Sequence, residues 1–187
     1  MSQTQGDAPP HRRLTAPALP RLAALAIDGA TYLIIPALLL PLGLLLVQRG
    51  VMLSSFAVNA LALVLVIAPA TAWAAWREAR PRGATVGKRL LRLRVVDENS
   101  RDLPSGRQAV VRNLIKITLS WELGHTVALG FASLGANAVP LWLWALTVIT
   151  YAWLFANLLL LVLPSGKPVH DRLAGTLVQD VPRQRAR

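Results

Sequence analysis

The sequence contains no cysteine, so disulfides, thiolate metal sites and cysteine nucleophiles are all excluded. Acidic residues are scarce: nine Asp and Glu stand against twenty Lys and Arg, for a net charge of +11. Aromatic residues make up 6% of the chain, and Trp accounts for six of them. No Ser-His-Asp or paired-carboxylate arrangement is visible, so no enzymatic activity is expected. The phosphate-loop pattern is also missing. Only three residues separate Gly83 from Gly87, and Lys88 is followed by Arg89 rather than Ser or Thr. The first twenty residues hold Pro9, Pro10, Pro17 and Pro20 and no apolar run of the kind that opens a signal peptide. Residues 1–20 are therefore expected to be a disordered cytoplasmic tail.

What the chain has in abundance is apolar sequence. Of its 187 residues, 54% are hydrophobic and the mean hydropathy is +0.47, ordinary for an integral membrane protein and high for a soluble one. A helix needs about 20 apolar residues to cross a bilayer. Four runs suggest spans, at about 22–47, 51–76, 114–134 and 139–163. Pro36 and Pro41 predict a kink in the outer half of the first span, and Trp73 and Trp76 suit an interface at the end of the second. The third run is the most polar, with Glu122 and His125 inside it. The expected fold is thus an all-α membrane protein of four transmembrane helices. A membrane domain would cover residues 21–180, followed by a basic tail over 181–187.

Between the second and third spans lies a polar segment with ten of the twenty Lys and Arg. Its alternating stretch from Arg92 to Asp97, followed by Glu98, Asn99 and Ser100, predicts a short β-hairpin at the membrane surface. Ser105 is placed to cap the helix that follows. Four spans put nineteen of the twenty Lys and Arg on one side and only Arg49 on the other. By the positive-inside rule that side is cytoplasmic and holds both termini. Lys88, Arg89, Arg92 and Arg94 are expected to contact anionic lipid headgroups, the partners this charge best suits. The segment lacks the interleaved aromatics of nucleic-acid binders, and no cofactor or metal is expected.

Three charged positions stand out: Arg21 at the mouth of the first span, Asp28 within it, and Asp171 beyond the last. Arg21 and Asp28 are seven residues apart on one helix face, about 10 Å along the axis, so each needs a partner from elsewhere. Asp171 and its neighbour Arg172 offer one partner of each sign. One reading is a polar lock in which Arg21 meets Asp171 while Asp28 accepts hydrogen bonds from hydroxyls or from an arginine of the central segment. The other makes Asp28 an ion or proton site, with Glu122 and His125 forming a relay. Those two share a helix face at i and i+3, where the bland alternative is a mutual hydrogen bond. An intramembrane acid supports either reading.

Together these residues resemble the RDD family of bacterial membrane proteins, named for one arginine and two aspartates. The stretch GATVGKRLLRLRVVD at 83–97 is similar to the family's segment after its second span, and VHDRLAGTLV at 169–178 is similar to its last motif. At one position the chain departs, with Arg92 where the family usually has glycine. The resemblance implies a multi-spanning protein of the inner or plasma membrane. It implies no established activity, although ion transport is suggested for some members. The expectation is therefore a structural or accessory membrane component, possible as a homo-oligomer or with a membrane partner, and the alternative is a small cation/proton antiporter.

Overall fold

The computed structural model describes residues 15–135, 137–163 and 165–181. The expected basic tail with Arg183, Arg185 and Arg187, and most of the expected N-terminal tail, lie outside the described residues. What remains of that N-terminal stretch is ordered. Ala16 is buried and its N–H donates to the Val178 carbonyl, and helix begins at Ala18.

Apolar helices dominate. Helices α1 (Ala18–Tyr32) and α2 (Ile34–Gln48) form one 31-residue rod interrupted at Leu33. Pro36 explains the interruption, because it cannot donate to the carbonyl of Tyr32 four residues back, which is the last residue of α1. The break therefore falls mid-rod rather than in the outer half. Pro41 is accommodated within α2. Helix α3 (Ser55–Glu78) carries one π turn at Leu63–Ile67, immediately ahead of Pro69. Proline removes the donor to Leu65 at that place, and the wider turn absorbs the lost register.

Among the described residues, three helices are long and apolar enough to cross a membrane: Ala18–Gln48, Ser55–Glu78 and Leu141–Val162, the last named α6 below. The stretch expected as a third span lies in the continuous helix α5, residues 106–134, which also has a π turn, at Leu114–Leu119. Ser120, Glu122, His125 and Thr126 keep its hydropathy below that of the other three. Helix α5 begins with a capping box. Ser105 accepts from the Gln108 N–H, and the Gln108 side chain accepts from the Ser105 N–H.

The expected local hairpin is corrected by the structure. Strand β1 (Leu93–Asp97) pairs antiparallel with β2 (Thr176–Asp180), more than eighty residues later, with Val95 opposite Val178. After Asp97 the chain makes a turn and meets Pro104 and the α5 cap, so no second apolar strand is available locally. Asp97 instead ties the turn to α5. It accepts from the Asn99 and Ser100 N–H groups at 2.8 Å and from Gln108 at 2.5 Å, and Gln108 first, then these N–H groups, hold its carboxyl down to about 2. The sheet buries Leu93, Val95 and Val178 against Ala16 and Ala24 of the α1 region. Two short helices complete the polar end: α4 (Val86–Leu90) before β1 and α7 (Val169–Ala174) before β2.

Arg92, the residue in place of the family's usual glycine, has φ +55. The turn into β1 is present, and a side-chain-bearing residue occupies the left-handed conformation there. That conformation costs about 1–2 kcal/mol, against about 0.5–1 kcal/mol of extra chain entropy for glycine. Arg92→Gly is therefore expected to raise unfolding stability by about 0.5–1 kcal/mol, read as a higher denaturation midpoint in detergent. An unchanged or lower midpoint would contradict the strain.

Candidate functional site

At the polar end, six charged side chains from five elements form a circuit of ion pairs whose two ends are joined only by the backbone of α1. Arg21 begins it on the first turn of α1. Its Nη2 lies 3.1 Å from Asp171 Oδ2, and its Nη1 donates to the Gly166 carbonyl. Asp171, on α7, also accepts from Arg112 Nε at 2.7 Å through its other oxygen, and from the Thr176 hydroxyl at 3.0 Å. Arg112, on α5, reaches across to α3, where its Nη1 stands 2.7 and 2.8 Å from the two oxygens of Glu78. Glu78 accepts in turn from Lys88 Nζ on α4 at 2.8 Å and from Asn113 Nδ2 at 2.7 Å. Lys88 lies 3.6 Å from Asp28, back on α1. Asp28 completes its shell with the Thr85 hydroxyl at 2.5 Å and the Gly87 N–H at 2.8 Å.

Charges alternate around this circuit, three of each sign. All six groups are buried: Asp28, Glu78 and Asp171 are 0% exposed and Arg112 is 1% exposed. An unpaired buried charge costs several kcal/mol, so each member depends on the opposite charges beside it, two for the four inner members and one each for Arg21 and Asp28. The two positions that sequence spacing left without partners, Arg21 and Asp28, are the two ends that α1 joins. Close approach makes this possible. A Cβ on Gly87 would lie 2.3 Å from the Ala24 carbonyl oxygen, so only glycine lets α4 sit this close to α1 and present its N–H to Asp28.

Other expected site residues lie elsewhere. Arg172 is outside the circuit; it is exposed and donates to the Lys167 carbonyl at 2.8 Å. The cation beside Asp28 is a lysine of the central segment, not an arginine. Lys88, grouped above with the headgroup contacts, is corrected to a buried member of the circuit. Its tether to Glu78 and Asp28 withdraws it from the surface, while Arg89 and Arg92 are exposed and Arg94 is half-buried. Glu122 and His125 are joined through Asn59 of α3 rather than to each other. Asn59 donates to Glu122 at 2.8 Å and contacts His125 Nδ1 at 2.6 Å. Among the described residues they share no hydrogen-bonding partner with Asp28, and no three His, Asp or Glu side chains gather as metal ligands.

Glu78, Arg112, Asn113 and Thr85 were not singled out from sequence. A signal existed for two of them: Ala109, Arg112, Asn113 and Lys116 recur at i, i+3, i+4 and i+7, one helix face turned inward. Glu78 gave none, because Arg77 and Arg80 around it read as an ordinary solvated helix end.

The family model described as RDD family matches residues 15–175. No curated protein and no solved structure matches the chain.

The neighbourhood of Asp171 gives a pH prediction. Burial holds the His170 imidazole down to about 3 despite the nearby Asp171 carboxylate, and Arg112, Lys116 and Arg21 act in the same direction as burial. Burial alone would raise Asp171, but Arg112 foremost, then His170 and Arg21, bring it down to about 2. Both folded values lie below the ordinary ones, so both contributions are complete at neutral pH and are lost on acidification. His170 acts first, as pH falls from about 6.5 toward 3, and Asp171 only below about 4. Stability is expected to drop between pH 6.5 and 4.5 by up to about 1.4 kcal/mol per pH unit. His170→Gln should flatten that dependence in thermal melts, and an equally steep profile would contradict the assignment.

Proposed function

The chain belongs to the RDD family, and on that footing we propose that it is a non-enzymatic structural or accessory membrane protein. In this reading the buried circuit is its organising lock. The observation that carries it is the mutual engagement of all six charges. Asp28, the acid best placed to serve as an ion site, is bonded by a hydroxyl, a backbone N–H and an ammonium. A carboxylate held on three sides is built to stay where it is.

The finer topology belongs to this proposal. The later half of α5 serves as a fourth span beside α6. Trp153 of α6 donates to Ser120 at 3.0 Å, and Leu143 approaches within 2.8 Å of the position a Cβ would take on Gly130. Small residues allow such helix contacts in lipid, where apolar surface provides no driving force between helices. Four spans put the circuit, the sheet and both termini at the cytoplasmic face of the cell membrane, with exposed Arg89 and Arg92 toward anionic headgroups. Helix α2 buries none of its residues within the chain, which leaves its leucines to lipid or to a second copy.

Two measurements test this reading. Because the chain has no cysteine, single cysteines report topology directly. Met52→Cys is expected to react with an impermeant maleimide in intact cells, and Ser100→Cys only after lysis. The reverse pattern would contradict the orientation. In proteoliposomes under a pH gradient, the wild type is expected to show no cation-dependent flux above empty vesicles. Asp28→Asn should instead lower stability by about 3 kcal/mol or more, the cost of breaking a buried ion pair. Flux that disappears in Asp28→Asn would overturn the structural role in favour of transport.

A further inference from the structure

All three departures from regular helix border one slot. The interruption at Leu33 with Pro36, the π turn of α3 at Val66 and Ile67, and the π turn of α5 at Lys116 and Ile117 line a cavity of about 400 Å³. Such irregular turns are frequent at functional sites. Among the residues that line this slot, Lys116 stands apart, because among the described residues it makes no ion pair. The circuit beside Lys116 is already balanced at three charges of each sign, so it offers this ammonium no counter-ion. An ammonium can only donate.

Lys116 sits at the circuit end of the slot, where it also lines a smaller cavity with Arg21, Lys88 and Arg112. Apart from Tyr32, Ser120 and Trp121, the rest of the wall is apolar, and from Leu25 to Pro36 it runs eleven helical steps, about 16 Å, which is half the hydrocarbon core of a bilayer. Pro36 and Val66 also line a second cavity of about 500 Å³, walled by the leucines of α2 and by α3.

We propose that the slot holds one acyl chain of a net-anionic phospholipid, whose phosphate oxygens accept from the Lys116 ammonium. The second chain stays outside in the bilayer. A phosphodiester answers an unpaired cation, and the length of the apolar wall suits one leaflet. This site is separate from the exposed Arg89 and Arg92. It rests on the membrane-spanning arrangement proposed above.

The test uses the delipidated full chain in detergent, with dioleoyl phosphatidylglycerol, dioleoyl phosphatidylcholine and oleate added singly and in competition. Native mass spectrometry counts the bound molecules. One phosphatidylglycerol is expected to be retained, with about a fivefold preference over phosphatidylcholine for the single cation. Lys116→Gln should bring that ratio near one, while Lys116→Arg and the double change Arg89→Gln with Arg92→Gln keep it. Gly29→Leu adds a side chain to the wall of the slot, where a Cβ meets nothing within 4 Å; with a wild-type denaturation midpoint as the check on folding, it should retain neither phospholipid. Equal binding of the two phospholipids by the wild type, a preference that survives Lys116→Gln, or displacement of phosphatidylglycerol by oleate would each overturn the proposal. Flotation of the wild type with vesicles separates the two readings. A chain that floats yet shows no preference sinks only the lipid site, and a chain that fails to float sinks the membrane arrangement.

Discussion

Arg112 stands between two fully buried carboxylates, and the rest of the polar end depends on that position. Its Nε faces Asp171 and its Nη1 faces Glu78, both at 2.7 Å. A guanidinium can do this because its donors are fixed in a planar fork with a charge that cannot be removed, so different nitrogens face the two carboxylates. Through this one side chain the C-terminal motif is joined to the end of α3. Through Glu78 the connection continues to Lys88 and Asp28, and through Asp171 it returns to Arg21 on the same helix as Asp28.

A circuit of this kind orders the fold more than it deepens stability. Apolar replacements for a complete buried ion pair are often neutral or better, whereas removing a single member leaves a charge that nothing compensates. The consequence here is mutual dependence among distant segments. Helix α1 inserts with one arginine and one aspartate, and neither can be satisfied until α4 and α7 arrive from far along the chain. The small sheet works in the same direction, because β1 finds its partner only after α6 has been laid down. Gly87 sets how closely these parts can meet, since its missing side chain is the space occupied by the Ala24 carbonyl.

Much of this was legible in the residues, and the remainder was hidden for identifiable reasons. Hydropathy located the helices because burial in hydrocarbon demands long uninterrupted apolar runs. Seven-residue spacing showed that Arg21 and Asp28 share a face and need outside partners. Spacing could not supply the identity of those partners, since Lys88 and Arg112 look like members of a solvated basic segment until a buried acid stands beside them. Glu78 was hidden by its arginine neighbours, and β1 was assigned a local partner because nearby sequence is the first place alternation suggests. Arg92 is instructive in the opposite sense. The turn survives without glycine, because backbone bonds on both sides of it, to Arg89 and from Val181, hold the residue in its left-handed conformation.

The central claim is that these six charges act as one unit rather than as separate pairs, and a double-mutant cycle between Glu78→Gln and Asp171→Asn tests it most directly. The two acids do not bond to each other; they are connected through Arg112. Independent pairs predict that the two losses of unfolding stability add within about 0.5 kcal/mol. A shared circuit predicts that the double variant departs from the sum by about 1 kcal/mol or more, because the first substitution has already unbalanced Arg112. Additivity in that cycle would contradict the circuit.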